Sequence, residues 1–152
     1  MLRIRPHHLL DIVTHYGRDE ELGPSPYGHA LHTVSAAVIA DPDMEAEFVV
    51  AADDICAPCK HLDAGGRCDD VMRRYDPPRS KQEVNDERDR QLLEYLGLQE
   101  GARMTVREFL ALAARHTPGI EVICTHAGET QERRLFGLTR GMSRLGIHVA
   151  GA

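Results

Sequence analysis

Three cysteines packed into one short stretch constrain this chain more than any other feature. They stand in "DDICAPCKHLDAGGRC", residues 53–68, as Cys56, Cys59 and Cys68, a C-x2-C-x8-C spacing among Gly and Asp. A bland surface loop has no use for three thiols, so the fold has to gather them around something. Two thiolates two residues apart grip one ion, or one edge of a cluster, from a single turn. Pro58 stiffens that turn, and Gly65 and Gly66 let the backbone curl back to deliver Cys68. Three thiolates beside Asp53 and Asp54 require a cation, and soft sulfur ligands select zinc or iron–sulfur over Mg or Ca. The two aspartates would repel a thiolate directly and are expected to cap the turn through backbone N–H groups instead.

The rest of the composition narrows the partners. A net charge of −6 argues against a general nucleic-acid binder, which needs a basic face to release counterions. Trp is absent and aromatic residues are few, so stacking platforms for single strands are missing too. The start, "MLRIRPHHLLDIV", holds no apolar run of signal-peptide length, and no stretch reaches the roughly 18 apolar residues of a membrane span. The expectation is a cytoplasmic protein with no membrane or nucleic-acid partner. In that reducing compartment a CxxC with a third nearby Cys points to metal or redox chemistry rather than a structural disulfide.

Residues 1–152 read as a single domain of α/β class: about three short strands in a small mixed or parallel sheet, with about five helices. "MLRIR" alternates Leu2 and Ile4 against Arg3 and Arg5, as a half-buried strand does. Pro6 suits the first turn of a helix that carries Leu9, Leu10 and Val13 and ends at Gly17. Ser25 as N-cap and Pro26 at N1 predict a second helix with Tyr27, Leu31, Val34 and Val38 on one face. "EAEFVVAAD" (45–53) reads as a strand running into the cysteine loop. Ser80 with Glu83, and Thr105 with Glu108, have the spacing of capping boxes that open helices three and four, with Met104 and Phe109 placed for a hydrophobic staple. "GIEVIC" (119–124) is a compact β-branched run and predicts a third strand. A last helix, with Leu135, Leu138, Met142 and Leu145 on one face, ends at Gly146. Residues 119–152 then form a strand–helix extension packed on the rest.

Each predicted strand ends in a potential ligand: His7 and His8 after the first, Cys56 after the second, Cys124 after the third. Parallel strands would align those ends along one sheet edge, placing a metal site at the strand C-terminal edge. Cys124 is the leading fourth protein ligand, with His7, His8, His61 or Asp11 as alternatives. Spacing alone does not separate zinc from iron–sulfur, and Cys124, ending an apolar run, serves core packing equally well. A metal-free thiol redox site is a further reading, and it calls for a depressed thiolate pKa at Cys56 or Cys59.

"RPHHLLD" (5–11), "DDICAPC" (53–59), "GRC" (66–68) and "ERDRQLLEYLGLQEGARMT" (87–105) together resemble the DUF1284 family, small prokaryotic proteins for which an iron–sulfur cluster has been suggested. The resemblance runs over residues 3–115 and implies Cys56, Cys59 and Cys68 as cluster ligands. The family continues "HHLL" with a cysteine, and this chain has Asp11 there. Cys124 offers a replacement thiolate; otherwise the cluster keeps an open site or an oxygen ligand at Asp11. Four thiolates suit electron transfer or a structural role, whereas an open iron permits chemistry on a bound substrate. The reading that follows is an iron–sulfur protein, of 4Fe–4S type, in electron transfer or in redox or sulfur chemistry on a small molecule. The alternative is a structural zinc protein or interaction module with four cysteines, or three and a histidine.

His7, His8 and Asp11 are the candidates for chemistry beside the metal, as ligands, as donors to cluster sulfur, or as an acid–base group with Asp11 as orienting partner. Adjacent helical residues point about 100° apart, so one of the two histidines is expected to reach a shared site. His15, His29, His32, His116 and His148 show no partner pattern and read as surface or packing residues. His61 and His126 gain only from their nearness to cysteines. Arg133, Arg140 and Arg144 share a helix face that offers a docking place for a small anionic substrate or a redox partner, or serves as a solvated face with a Glu129–Arg133 pair.

Overall fold

The computed structural model describes residues 1–149. β1 (Leu2–Ile4) leads through Arg5 directly into α1 (Pro6–Gly17), with Pro6 at the first helical positions, where its missing N–H costs nothing. Arg5, at the N-cap, supplies no capping side chain. The cap comes from across the fold: the carboxylate of Asp89 accepts from the His7 backbone N–H at 2.9 Å. That places an acid at the positive end of the helix, where the dipole favours it.

α2 (Leu31–Ala40) begins later than Ser25 and Pro26 predict. Residues 25–28 form a separate turn in which the Ser25 carbonyl accepts from the Gly28 N–H, and Gly28, at φ +78°, breaks the helical run. Tyr27 therefore leaves the helical face and packs edge-on against His61. β2 (Glu45–Phe48) follows, shorter than 45–53 because the chain turns away into the cysteine loop. After that loop come a two-stranded ribbon, β3 (Val71–Met72) with β4 (Arg79–Ser80), and α3 (Lys81–Tyr95), whose N-cap Ser80 accepts from the Glu83 N–H, one of the two bonds of the predicted capping box.

β5 (Ala102–Thr105) and α4 (Val106–Arg115) are joined by the Thr105–Glu108 capping box, present with both of its bonds. The three-stranded sheet has the order β1-β2-β5, with β1 parallel and β5 antiparallel to β2. It is a mixed sheet, and its third strand is β5. Residues 119–124, predicted as that strand, instead contain a single helical turn, α5 (Glu121–Cys124). That turn packs against α3 and not beside a strand, and on the β1 side the outer edge of the sheet is covered by Asp54, which exchanges bonds with the Arg3 N–H and C=O.

α6 (Gln131–Arg144) lies along α1. Gly137 and Gly141 make that approach close, since a Cβ at Gly141 would stand 2.1 Å from the Val13 carbonyl oxygen. The C-terminal extension is thus helix–helix, and residues 150–152 of it lie outside the described residues. Below the sheet, Phe48 and Phe109 stack at 4.1 Å within one contiguous apolar core. No described helix is long and apolar enough to cross a membrane.

Candidate metal centre

The carboxyl ends of the parallel pair β1 and β2 open into a cavity of about 310 Å³. His7, His8 and Asp11 line it from α1, and Cys56, Cys59 and Cys68 line it from the loop after β2. The parallel pairing thus brings together the ligands that follow the first two strands. Both histidines reach the cavity, against the expectation that one would. At the first turn of α1 they are steered by separate carboxylates, and their rings sit 4.4 Å apart.

The loop is a chain of tight turns. Asp53 accepts from the Ile55 and Cys56 N–H groups, the cap its position predicted, and Cys59 N–H donates to Cys56 C=O. Gly66, at φ +78°, reverses the chain so that Leu62 and Cys68 face each other as a β-bridge. Cys68 N–H then donates to the Gln82 side chain at 2.8 Å, tying the end of the loop to α3.

On the opposite wall, His7 Nδ1 lies 2.8 Å from Asp89 and His8 Nδ1 lies 2.8 Å from Asp53. A carboxylate only accepts, so Nδ1 carries the proton in both rings and Nε2 is left for the cavity. These are the orienting partners, not Asp11. Asp89 also accepts from Arg5, a buried guanidinium held in turn by Asp86. Burial pulls the His7 pKa down, only partly opposed by Asp89. At His8 burial acts the same way, but the charge and hydrogen bond of Asp53 outweigh it and the pKa rises. Burial alone would raise the Asp53 carboxyl, but His8 and the Arg5 N–H hold it well below the usual carboxylate range.

Asp11 faces a second network. It accepts from Arg134 and from His126 Nε2, both at 2.8 Å, and these partners overcome burial to hold its pKa far below normal. His126, on the cavity wall, completes a third histidine–carboxylate pair that sequence proximity to Cys124 only hinted at.

Within this frame His8, Asp53 and Cys56 offer ligand atoms that all lie within 4.8 Å of one another. Cys59 and Cys68 stand on the same cavity outside that trio. A single tetrahedral zinc, with Zn–S bonds of about 2.3 Å, needs its sulfurs roughly 3.8 Å apart. Among the described residues, Cys56, Cys59 and Cys68 do not together form a group whose sulfurs all lie within 4.8 Å of one another. Burial, with the Asp53 charge, pushes the Cys56 thiol up to about 12, opposite to the depression a metal-free redox thiol requires.

Cys124 stands elsewhere. It is fully buried in α5 as part of the apolar core and does not line the cavity. Burial raises its pKa to about 12 as well. His61 also stays off the cavity wall, bonded to Asp69 at 2.9 Å and packed on Tyr27. His29, read from sequence as a surface or packing residue, lines the cavity. On α6, Arg140 and Arg144 are engaged with Asp19 and with carbonyls at the end of α1. Glu129 pairs with Arg18 and Arg134 instead of Arg133.

A family model described as a protein of unknown function (DUF1284) matches residues 25–128. That match takes in all four cysteines and stops short of both α1 and α6. No curated protein and no solved structure matches the chain.

Proposed function

The chain belongs to the DUF1284 family, and from the cavity it builds we propose that it holds an iron–sulfur cluster, of 4Fe–4S type, through Cys56, Cys59 and Cys68. The observation that carries this reading is the convergence of three thiols from one loop on a cavity whose other wall presents histidines. Cys124, in the core, is left out of the ligand set. The fourth position falls to His8, His7, Asp11 or a molecule from outside. Such a cluster supplies one-electron chemistry when bound. The chain's own part is to hold the two imidazoles rigidly beside it. With Nδ1–H fixed on a carboxylate, each ring can take or give a proton only at Nε2. That arrangement supports redox or sulfur chemistry on a small molecule, or proton-coupled exchange with a redox partner. Four free cysteines fit a reducing cytoplasm.

Zinc has one specific observation in its favour, the close His8–Asp53–Cys56 group. Iron, zinc and acid-labile sulfide assayed on anaerobically purified protein separate the two. We expect about four irons and four sulfides per chain, with broad visible absorption of thiolate-bound iron. Cys59→Ser abolishes both, and Cys124→Ala leaves both unchanged. One zinc without sulfide would replace the cluster by a structural clasp, and full retention of colour in Cys59→Ser would end the cluster assignment.

A further inference from the structure

The third wall of the cavity is α3, and it carries a feature that neither the thiols nor the histidines use. Lys81, Asn85 and Arg88, spaced i, i+4 and i+7, all line the cavity from one helix face. Arg88 makes no ion pair among the described residues. Its hydrogen bond, at 3.0 Å, runs to Nδ1 of His126. Because His126 Nε2 faces the Asp11 carboxylate, Nε2 carries that ring's proton and Nδ1 is the acceptor, so Arg88 rests on a neutral partner. Its charge is uncompensated at the cavity, and the remaining donors of its planar fork are left over. Arg5, behind the same wall, has a buried Nε–H with no partner. Lys81 reaches Asp70 only at 3.7 Å. The one carboxylate lining the cavity, Asp11, is already held by Arg134 and His126. The cavity also has an apolar lining, with Leu31, Ile55, Leu62 and Met72.

We infer that α3 presents a recognition site for the carboxylate of a small organic acid, with Arg88 and Lys81 gripping the head and the apolar strip covering a short tail. The guanidinium fork matches a carboxylate in bidentate geometry. The cavity, at the low end of the roughly 300–1,000 Å³ of ligand pockets, is shared with the thiol loop, so the guest is small. The inference rests on the proposed function only in taking this cavity as the working site. It does not depend on which metal the thiols hold.

The test is calorimetric titration of butyrate, acetate and neutral butyramide into the full chain, as purified and after metal removal, with iron and sulfide assayed on the same samples. Butyrate should bind at least about tenfold tighter than butyramide, as expected when a charged hydrogen-bonded pair is lost. It should exceed acetate by about fourfold per methylene. Arg88→Gln should lose at least about tenfold for butyrate and little for butyramide. Equal binding of acid and amide in both forms of the protein, or unchanged butyrate affinity in Arg88→Gln, would overturn the site. A colourless protein that still discriminates acid from amide keeps the site and removes the cluster, so the two proposals fail separately.

Discussion

The two walls of the cavity that carry the candidate ligands are built on different physics. On the α1 wall, each histidine is locked by a carboxylate buried within the fold, and the carboxylates are themselves held by Arg5 and by backbone N–H groups. On the loop wall, the thiols hang on short turns, with Asp63 accepting from the Gly65 and Arg67 N–H groups and a single side-chain tie to Gln82. The first wall is complete without any ion. The second carries Cys56 and Cys68, whose burial disfavours the thiolate, so a cation is what would finish it.

The largest expected effect follows from that contrast. Asp89 is fully buried and accepts from Arg5 Nη1, the His7 backbone N–H and His7 Nδ1. Asp89→Ala leaves a buried guanidinium short of one partner and orphans the start of α1. It should cost about 3–5 kcal/mol in urea unfolding, the range for breaking a buried pair. Asp63→Ala, on the exposed loop, should cost about 1 kcal/mol or less. Equal losses at the two positions would erase the distinction between the walls.

Removal of the proposed metal should sharpen it from the other side. A chelator that strips the protein should expose the loop to trypsin at Lys60 and Arg67, while amide exchange in α1 and α3 stays as slow as before. If α1 loosens together with the loop, the histidine wall depends on the metal after all.

The contrast also explains which parts could be read in advance. The thiol loop is local: its turn residues, its glycines and the Asp53 cap sit within a few positions of what they organise. Helix ends were legible for the same reason, at Pro6, Ser80, Thr105 and Gly146. The α1 wall is long-range. Arg5 and Asp89 are 84 positions apart, and Gln82, Asp86 and Asp89 recur along α3 as a buried polar stripe that in sequence looks like a solvated face. Burial stripes are normally apolar, so no periodicity marks this one. The "GIEVIC" run failed differently. Ile120 and Cys124 are buried at i, i+4, a spacing a helical turn satisfies as well as a strand, and the run is buried against α3 and α6, not against the sheet. β5, only four residues long, fell below what alternation can reveal.

The smallest effect probes the network behind the α1 wall, where Asp11 and Glu129 share Arg134. Glu129 also accepts from Arg18 and from the His126 backbone N–H. Burial would raise its carboxyl, but the Arg18 hydrogen bond, that N–H and Arg134 together hold it at about 2, against 4.5 unperturbed. A carboxyl lowered on folding adds stability that is fully present above its unfolded pKa and is lost as pH falls through the folded one. Glu129 therefore contributes at neutral pH, and its share disappears between pH 4.5 and about 2. Glu129→Gln should lower the urea midpoint at pH 7, and the gap to the parent should close as pH approaches 2. The parent's remaining acid sensitivity is shared among the other carboxylates with depressed pKa values, with Asp11, Asp53 and Asp89 the buried ones. Because Glu129 is near the surface, the gap should be modest and should shrink with added salt. A gap that holds constant from pH 7 to 2 would mean that Glu129 acts through packing, and that the support behind His126 and Asp11 is not electrostatic.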